Sequence, residues 1–245
     1  MKHLKRFLLI VLALIVLTAA GFVAWAETPL GPSPEALAAL ESDAQVKVTA
    51  NDWITFQPAN PSPTIGFIFY PGGRVDYRSY APVLRKIAAQ GYFVVLLKVP
   101  LNLALFSPNA ALPVLAAYPQ IKHWAVGGHS LGGVAAAQFV STNPGKVEGI
   151  AFWASYPADD KLRNLSIKAV SISGAEDGLS TPPKIEASVK LLPGNTIYVQ
   201  IAGGNHGQFG SYGPQPGDNP ATISPEDQWL QIAAATVQML KSLAP

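Results

Sequence analysis

Residues 121–142 read IKHWAVGGHSLGGVAAAQFVST, and the order of residue types along this stretch decides the fold. Residues 121–126 are mostly apolar and rich in branched and aromatic side chains, the composition of a strand buried on both faces. Gly127 and Gly128 interrupt that run, and residues 131–142 then have the Ala-rich character of a helix. A strand passing through a Gly-rich turn into a helix opens a βα unit. Within the turn, residues 128–132 spell G-x-S-x-G around Ser130. A Ser hydroxyl projecting from a sharp turn needs neighbours with no side chain to clash, and the following helix aims its N-terminal amides at developing negative charge. The competing reading, a Gly-rich turn serving only close helix packing, leaves Ser130 without a purpose.

The same alternation extends in both directions. Residues 64–70 (TIGFIFY), 93–99 (FVVLLKV), 147–154 (VEGIAFWA), 167–173 (IKAVSIS) and 196–201 (TIYVQI) are further short apolar strands. Helical stretches are expected over residues 79–90, 109–118, 131–142, 182–192 and 224–243, the last opening with Ser224 as N-cap and Pro225 in the first turn. Residues 45–50 and 53–57 alternate apolar and polar around Asn51-Asp52 and read as an antiparallel hairpin. The expected fold class is α/β: a mostly parallel sheet with helices on both faces, whose sites form at the carboxyl ends of the strands.

Residues 7–26 carry no charge and, as a helix, would span about 30 Å, the thickness of a bilayer core. Lys2, Lys5 and Arg6 precede them and place the N-terminus in the cytoplasm, with the remaining chain outside. The uninterrupted length favours an uncleaved transmembrane anchor, with Trp25 at the interface. Ala24-Trp25-Ala26 also fits a signal-peptide cleavage site, which would make the protein secreted. The expected organisation is an anchor or signal over residues 1–26, a linker with a short helix opening at Ser33-Pro34-Glu35 over 27–44, and one α/β domain over 45–245.

Composition narrows the function classes. With 49% hydrophobic and 13% charged residues the 245-residue chain is globular rather than disordered. The net charge of +2 turns slightly negative once the three basic residues before the anchor are set aside, so nucleic-acid binding has no support. The absence of Cys excludes disulfides, thiolate metal sites and a Cys nucleophile, and no metal-ligand spacing such as H-E-x-x-H occurs. No cofactor and no metal are expected.

The order of elements and the sequence GGHSLGG at residues 127–133 resemble the α/β-hydrolase superfamily, in particular its small lid-less esterase-like group, alpha/beta-hydrolase family five. The likeness extends over residues 45–243. It implies an acyl-transferring triad of Ser, an acid and His in that chain order, with Ser130 as nucleophile. Four His are available for the base. His3 precedes the membrane segment, His123 lies at the far end of the strand leading to Ser130, and His129 adjoins Ser130, where neighbouring side chains diverge. His206, in Gly203-Gly204-Asn205-His206-Gly207 just beyond a strand, remains, and the resemblance puts the family's His there. Gly174-Ala175-Glu176-Asp177-Gly178 looks like the family's G-x-x-D-G turn and implies Asp177 as the acid. Glu176 is its neighbouring competitor, and Asp159 and Asp160 form a less favoured site read by default as solvated carboxylates.

The resemblance also supplies an oxyanion hole from the Leu131 amide and from the loop Tyr70-Pro71-Gly72-Gly73-Arg74, with Gly73 ahead of Gly72. Tyr-Pro stands where many members have His or His-Gly, which leaves the choice between the two glycines open. Only residues 155–166 separate two strands where many members insert a cap, so a lid is not expected and the mouth should be shallow. Residues 74–80 and the long loop 206–223, with Phe209 and Tyr212, either shape that mouth or pin the loop to the body. The expectation is a serine hydrolase acting on a small acyl substrate, carboxylic esters before thioesters, lactones and amides. The alternatives are a non-catalytic binding protein of the same fold at the cell envelope, and a peptidase.

Overall fold

The computed structural model describes residues 2–60 and 62–244. In chain order the elements are α1 (Lys2–Ala26), α2 (Pro34–Ala38), β1 (Val46–Ala50), β2 (Ile54–Pro58), β3 (Ile65–Tyr70), α3 (Ala81–Ala88) and β4 (Phe93–Leu96). They continue as α4 (Ala111–Ala117), β5 (His123–His129), α5 (Leu131–Thr142), β6 (Gly149–Trp153), β7 (Lys168–Gly174), α6 (Pro182–Ser188), β8 (Ile197–Ile201) and α7 (Pro225–Lys241). The strands form one eight-stranded sheet in the order β1-β2-β4-β3-β5-β6-β7-β8. The β1–β2 and β2–β4 pairs are antiparallel and all later pairs are parallel.

Strand alternation explains why the sheet is covered twice. Phe67 and Phe69 of β3, Ala151 and Trp153 of β6, and Val170 and Ile172 of β7 enter one core with α3 and α7. The intervening residues Ile68, Tyr70, Ile150, Phe152 and Ala169 enter the other, under α4 and α5. Side chains two apart share a face, so a parallel strand apolar at every position must bury both faces. After β3 the chain moves outward to β4, then returns past β3 to β5. The carboxyl ends of β3 and β5 therefore flank a topological switch point, where such sheets open a crevice.

Several boundaries differ from the pattern-based expectation. The strand expected over 121–126 runs on to His129, because Gly127 and Gly128 still pair with Ala151 and Phe152 of β6. The strand expected over 93–99 ends at Leu96, although the Leu97 amide still reaches Phe69 O. Residues 77–80 form a 3-10 turn before α3, which starts at Ala81 with Pro82 in its first turn. Ser33 and Ser224 cap α2 and α7, accepting from the amides of Ala36 and Asp227.

The segment 27–44, expected as a linker, is laid along the domain. Leu30 bridges to Val75, and the Ser33 and Ser211 hydroxyls meet at 2.6 Å. Arg85 donates to the carbonyls of Ala39 and Glu41. The 25 residues of α1 are exposed apart from half-buried Val11 and buried Ala26, and an 18-residue window has mean hydropathy 2.9. By length and composition it is able to cross a membrane, and a signal sequence meets the same test.

Candidate active site

Ser130 sits between β5 and α5 with φ 51° and ψ −122°, a left-handed conformation that costs a non-Gly residue about 1–3 kcal/mol. Its surroundings hold it there. The Ser130 amide donates to Trp153 O at 3.0 Å, and its carbonyl accepts from Ser155 Oγ at 2.6 Å and from the Gly133 amide at 3.0 Å. The glycines of the motif are a spatial necessity: a Cβ on Gly128 would strike the backbone of Gly132 and Gly133, and one on Gly132 the carbonyls of Tyr70 and Pro71. The turn thus closes on itself and against the end of β3, leaving Ser130 half-buried.

The carboxylate and the imidazole come from the ends of β7 and β8, on the far side of β6 from β5. Beyond β7, Asp177 is buried, and its Oδ1 accepts from the amides of Leu179 and Ser180 at 2.8 and 2.7 Å. Those two bonds aim Oδ2 at His206, whose Nδ1–H donates to it at 2.8 Å. His206 follows β8 and is equally buried. Its Nε2 has no hydrogen-bond partner among the described residues. With Nδ1 carrying the proton toward Asp177, Nε2 is left as a free acceptor, the form a general base requires. Ser130 Oγ makes no hydrogen bond among the described residues. The structure therefore joins Asp177 to His206, while no direct bond links His206 to Ser130.

The loop after β3 approaches from the other side. The Gly72 amide donates to Tyr80 Oη at 3.0 Å, and Tyr80 Oη lies 2.8 Å from His129 Nδ1. A hydroxyl has one proton, so Tyr80 accepts from Gly72 and donates to His129. Of the two glycines weighed for an oxyanion donor, Gly72 is thereby committed elsewhere. The amides of Gly73 and Leu131 have no protein acceptor among the described residues, and the Cβ position of Gly73 lies 2.5 Å from Leu131 Cδ1.

His129 lies with its ring centroid 4.4 Å from that of His206 and stacks on Phe209 at 5.6 Å. Burial, and then the neighbouring His206, hold its pKa well below the usual 6.5. Burial likewise raises the Tyr80 phenol far above its ordinary value. Both side chains are neutral hydrogen-bonding parts. Phe209 and Tyr212 are buried in the core, so they pin the long loop to the body. His123 pairs with Glu148 at 2.9 Å, and Asp159 and Asp160 are exposed, Asp159 paired with Lys161. No helix or strand lies between β6 and β7, so no cap covers the site there.

Three positioning residues escaped the sequence reading. Asp218 splits its carboxylate between the amides of Gly178 (3.0 Å) and Gly207 (2.8 Å), tying the Asp177 loop to the His206 loop. Gln228 of α7 bonds the Asn205 backbone in both directions. Tyr80 is the third. Nothing in their local sequence marks them, since each acts on a loop distant along the chain. Behind the His206 loop lies a cleft of about 730 Å³, walled by Asn205, Gln208, Asp218 and Trp229 among others, with neither Ser130 nor His206 in its walls.

The model of the alpha/beta hydrolase family matches residues 66–230. The esterase domain of a Rhodothermus marinus protein superposes with TM-score 0.61 at 13% identity, covering 80% of this chain and 98% of that one. A dienelactone hydrolase from Anabaena variabilis gives 0.60 at 16% identity, with 81% and 99% covered. A dienelactone hydrolase-like promiscuous phosphotriesterase from metagenomic libraries gives 0.57 at 13%, with 81% and 98% covered. Identities this low speak for the fold alone. No curated protein matches the sequence.

Proposed function

The chain belongs to the alpha/beta hydrolase family and is a hydrolase, and from that premise we propose that it cleaves carboxylic esters through an acyl-enzyme on Ser130, His206 and Asp177. The observation that carries this reading is the buried 2.8 Å bond between His206 and Asp177, which leaves His206 Nε2 free beside the strained turn of Ser130. In apo structures catalytic hydrogen bonds are often long and tighten only around substrate, so the absence of a Ser130–His206 hydrogen bond among the described residues suits a resting site.

In the proposed cycle His206 Nε2 takes the Ser130 proton as Oγ attacks the carbonyl carbon. Asp177 stabilises the imidazolium, and the Gly73 and Leu131 amides hold the oxyanion. Cleavage of the acyl C–O bond sends the proton from His206 to the departing alcohol. Water, deprotonated by His206, then adds to the acyl carbon, releasing the carboxylic acid and restoring Ser130. Thioesters, lactones and amides rank behind esters, because the triad itself does not discriminate between leaving groups.

We also propose that α1 is an uncleaved anchor holding the domain outside the cytoplasm. Lys2, Lys5 and Arg6 set that orientation. Arg74 and Asn102 donate to the carbonyls of Trp25 and Ala26, contacts a chain cleaved after Ala26 would lose.

Steady-state kinetics on p-nitrophenyl acetate test the catalytic reading. Ser130→Ala and His206→Ala should each lower kcat by roughly 10³-fold or more, and Asp177→Asn by about 10⁴-fold. Turnover preserved in Ser130→Ala would overturn it.

A further inference from the structure

The end of α1 and the mouth of the candidate site are parts of one structure. Arg74, the residue after Gly73, turns through a left-handed conformation (φ 54°) and donates from Nε to Trp25 O at 2.9 Å and from Nη2 to Thr28 O at 2.8 Å. Its guanidinium lies 4.3 Å over the Trp25 ring. Asn102, also left-handed, donates from its side-chain amide to Ala26 O at 3.1 Å, and its own carbonyl accepts from the Arg74 amide at 2.8 Å. The last turn of α1 is therefore capped by Arg74 of the loop that carries Gly73 and by Asn102, which is bonded to it.

An apolar track runs from Ser130 to that helix. Leu131 and Leu103 flank Gly73, with side-chain atoms 2.5 and 3.5 Å from its Cβ position. The 3-10 turn Ala104–Phe106 then presents Leu105 (41% exposed) and Phe106 (58% exposed), and Leu131 itself is 39% exposed. Phe106 meets Phe22 of α1 edge-on, with ring centroids 6.2 Å apart. Phe22 lies four residues before Ala26, about 6 Å deeper along the helix axis. A bilayer spanned by α1 thus reaches the level of Phe106. Contiguous apolar surface of this kind marks an interaction site, and its continuity with α1 names the occupant as the lipid surface.

We infer that the Ser130 mouth opens onto the outer leaflet and draws its substrate from it: a membrane-resident ester whose long acyl chain stays among Leu131, Leu103 and the lipid while its carbonyl reaches Ser130. Hydrolysis breaks the acyl C–O bond and adds water across it, giving a fatty acid and an alcohol. This substrate class rests on the proposed hydrolase reading and on α1 as an anchor.

The native chain has no Cys, so single-cysteine variants of the full chain take one label each. In phosphatidylcholine vesicles, an NBD fluorophore on Phe106→Cys should emit blue-shifted light and be quenched by doxyl-labelled lipid. One on Lys146→Cys should behave as in water, since this exposed residue lies past the far end of the 12-residue α5, about 18 Å from Ser130. Water-like emission from position 106 overturns the inference whatever the catalytic outcome. In the same vesicles, the Leu105→Ser/Phe106→Ser pair should lower the ratio of p-nitrophenyl palmitate to p-nitrophenyl acetate turnover by about tenfold. An unchanged ratio overturns the substrate class, as does a protein partner protecting position 106 from lipid quenching. Turnover of neither ester, with position 106 still quenched by lipid, instead overturns the hydrolase reading beneath it.

Discussion

Tyr80 joins two loops through one hydroxyl. Tyr80→Phe leaves the Gly72 amide and His129 Nδ1 buried without partners. It should cost about 1–3 kcal/mol of stability in urea unfolding, where a variant as stable as the parent would contradict the assignment. His129 carries a pH dependence whose sign follows from its depressed pKa. Its imidazole takes a proton near pH 6.5 when unfolded and resists doing so when folded. Below pH 6.5 the unfolded chain therefore binds more protons, and stability is lost as the pH is lowered, by about 1.4 kcal/mol per unit, until the folded pKa is reached. Above 6.5 the group contributes no slope. His129→Gln should flatten that slope in unfolding curves collected between pH 5 and 7, and an unaltered slope would place its origin elsewhere. Ser130, Asp177 and His206 stand out in the sequence because each follows a strand at a Gly-marked turn. Tyr80 and Asp218 do not, because a side chain reaching across to another loop leaves no periodic trace in its own segment.

At the scale of elements, the β5–α5 turn depends on backbone packed against backbone. Gly132→Ala would push a methyl into the Tyr70 and Pro71 carbonyls, which cannot rotate away, and should destabilise the fold by about 3 kcal/mol. Thermal melts check this against Gly194→Ala, which has nothing within 4 Å of the new methyl and should be close to neutral; a Gly132→Ala melt as high as the parent's would contradict it. Strand–helix alternation was legible because two-sided burial demands uninterrupted apolar runs. Boundaries were less so. Gly127 and Gly128 look like turn residues yet remain paired in the sheet, since pairing with β6 uses their backbone and needs no side chain. Ser79 and Tyr80 are expected to open the helix over 79–90, but Pro82 lacks the amide that would carry an α-helix back through them, and they fall in a 3-10 turn over Tyr77–Tyr80.

For the whole molecule, the segment 27–44, expected as a linker with a short helix, carries α2 and runs along the domain, and Thr28 at its start accepts from Arg74 of the loop beside Ser130. The segment's Pro-rich composition hides the contacts that Thr28, Leu30 and Ser33 make with distant residues. The anchor reading predicts that the mature protein stays in the membrane pellet through an alkaline wash and begins at its original N-terminus. A soluble form starting at Glu27 would contradict it. The central claim concerns the meeting of three strand ends at one nucleophile, and covalent trapping tests it most directly. Treating the folded full chain with a fluorophosphonate and mapping the adduct by peptide mass spectrometry should place a single phosphonyl group on Ser130, with labelling lost in His206→Ala. An adduct on a different Ser, or none on folded protein, would contradict the account.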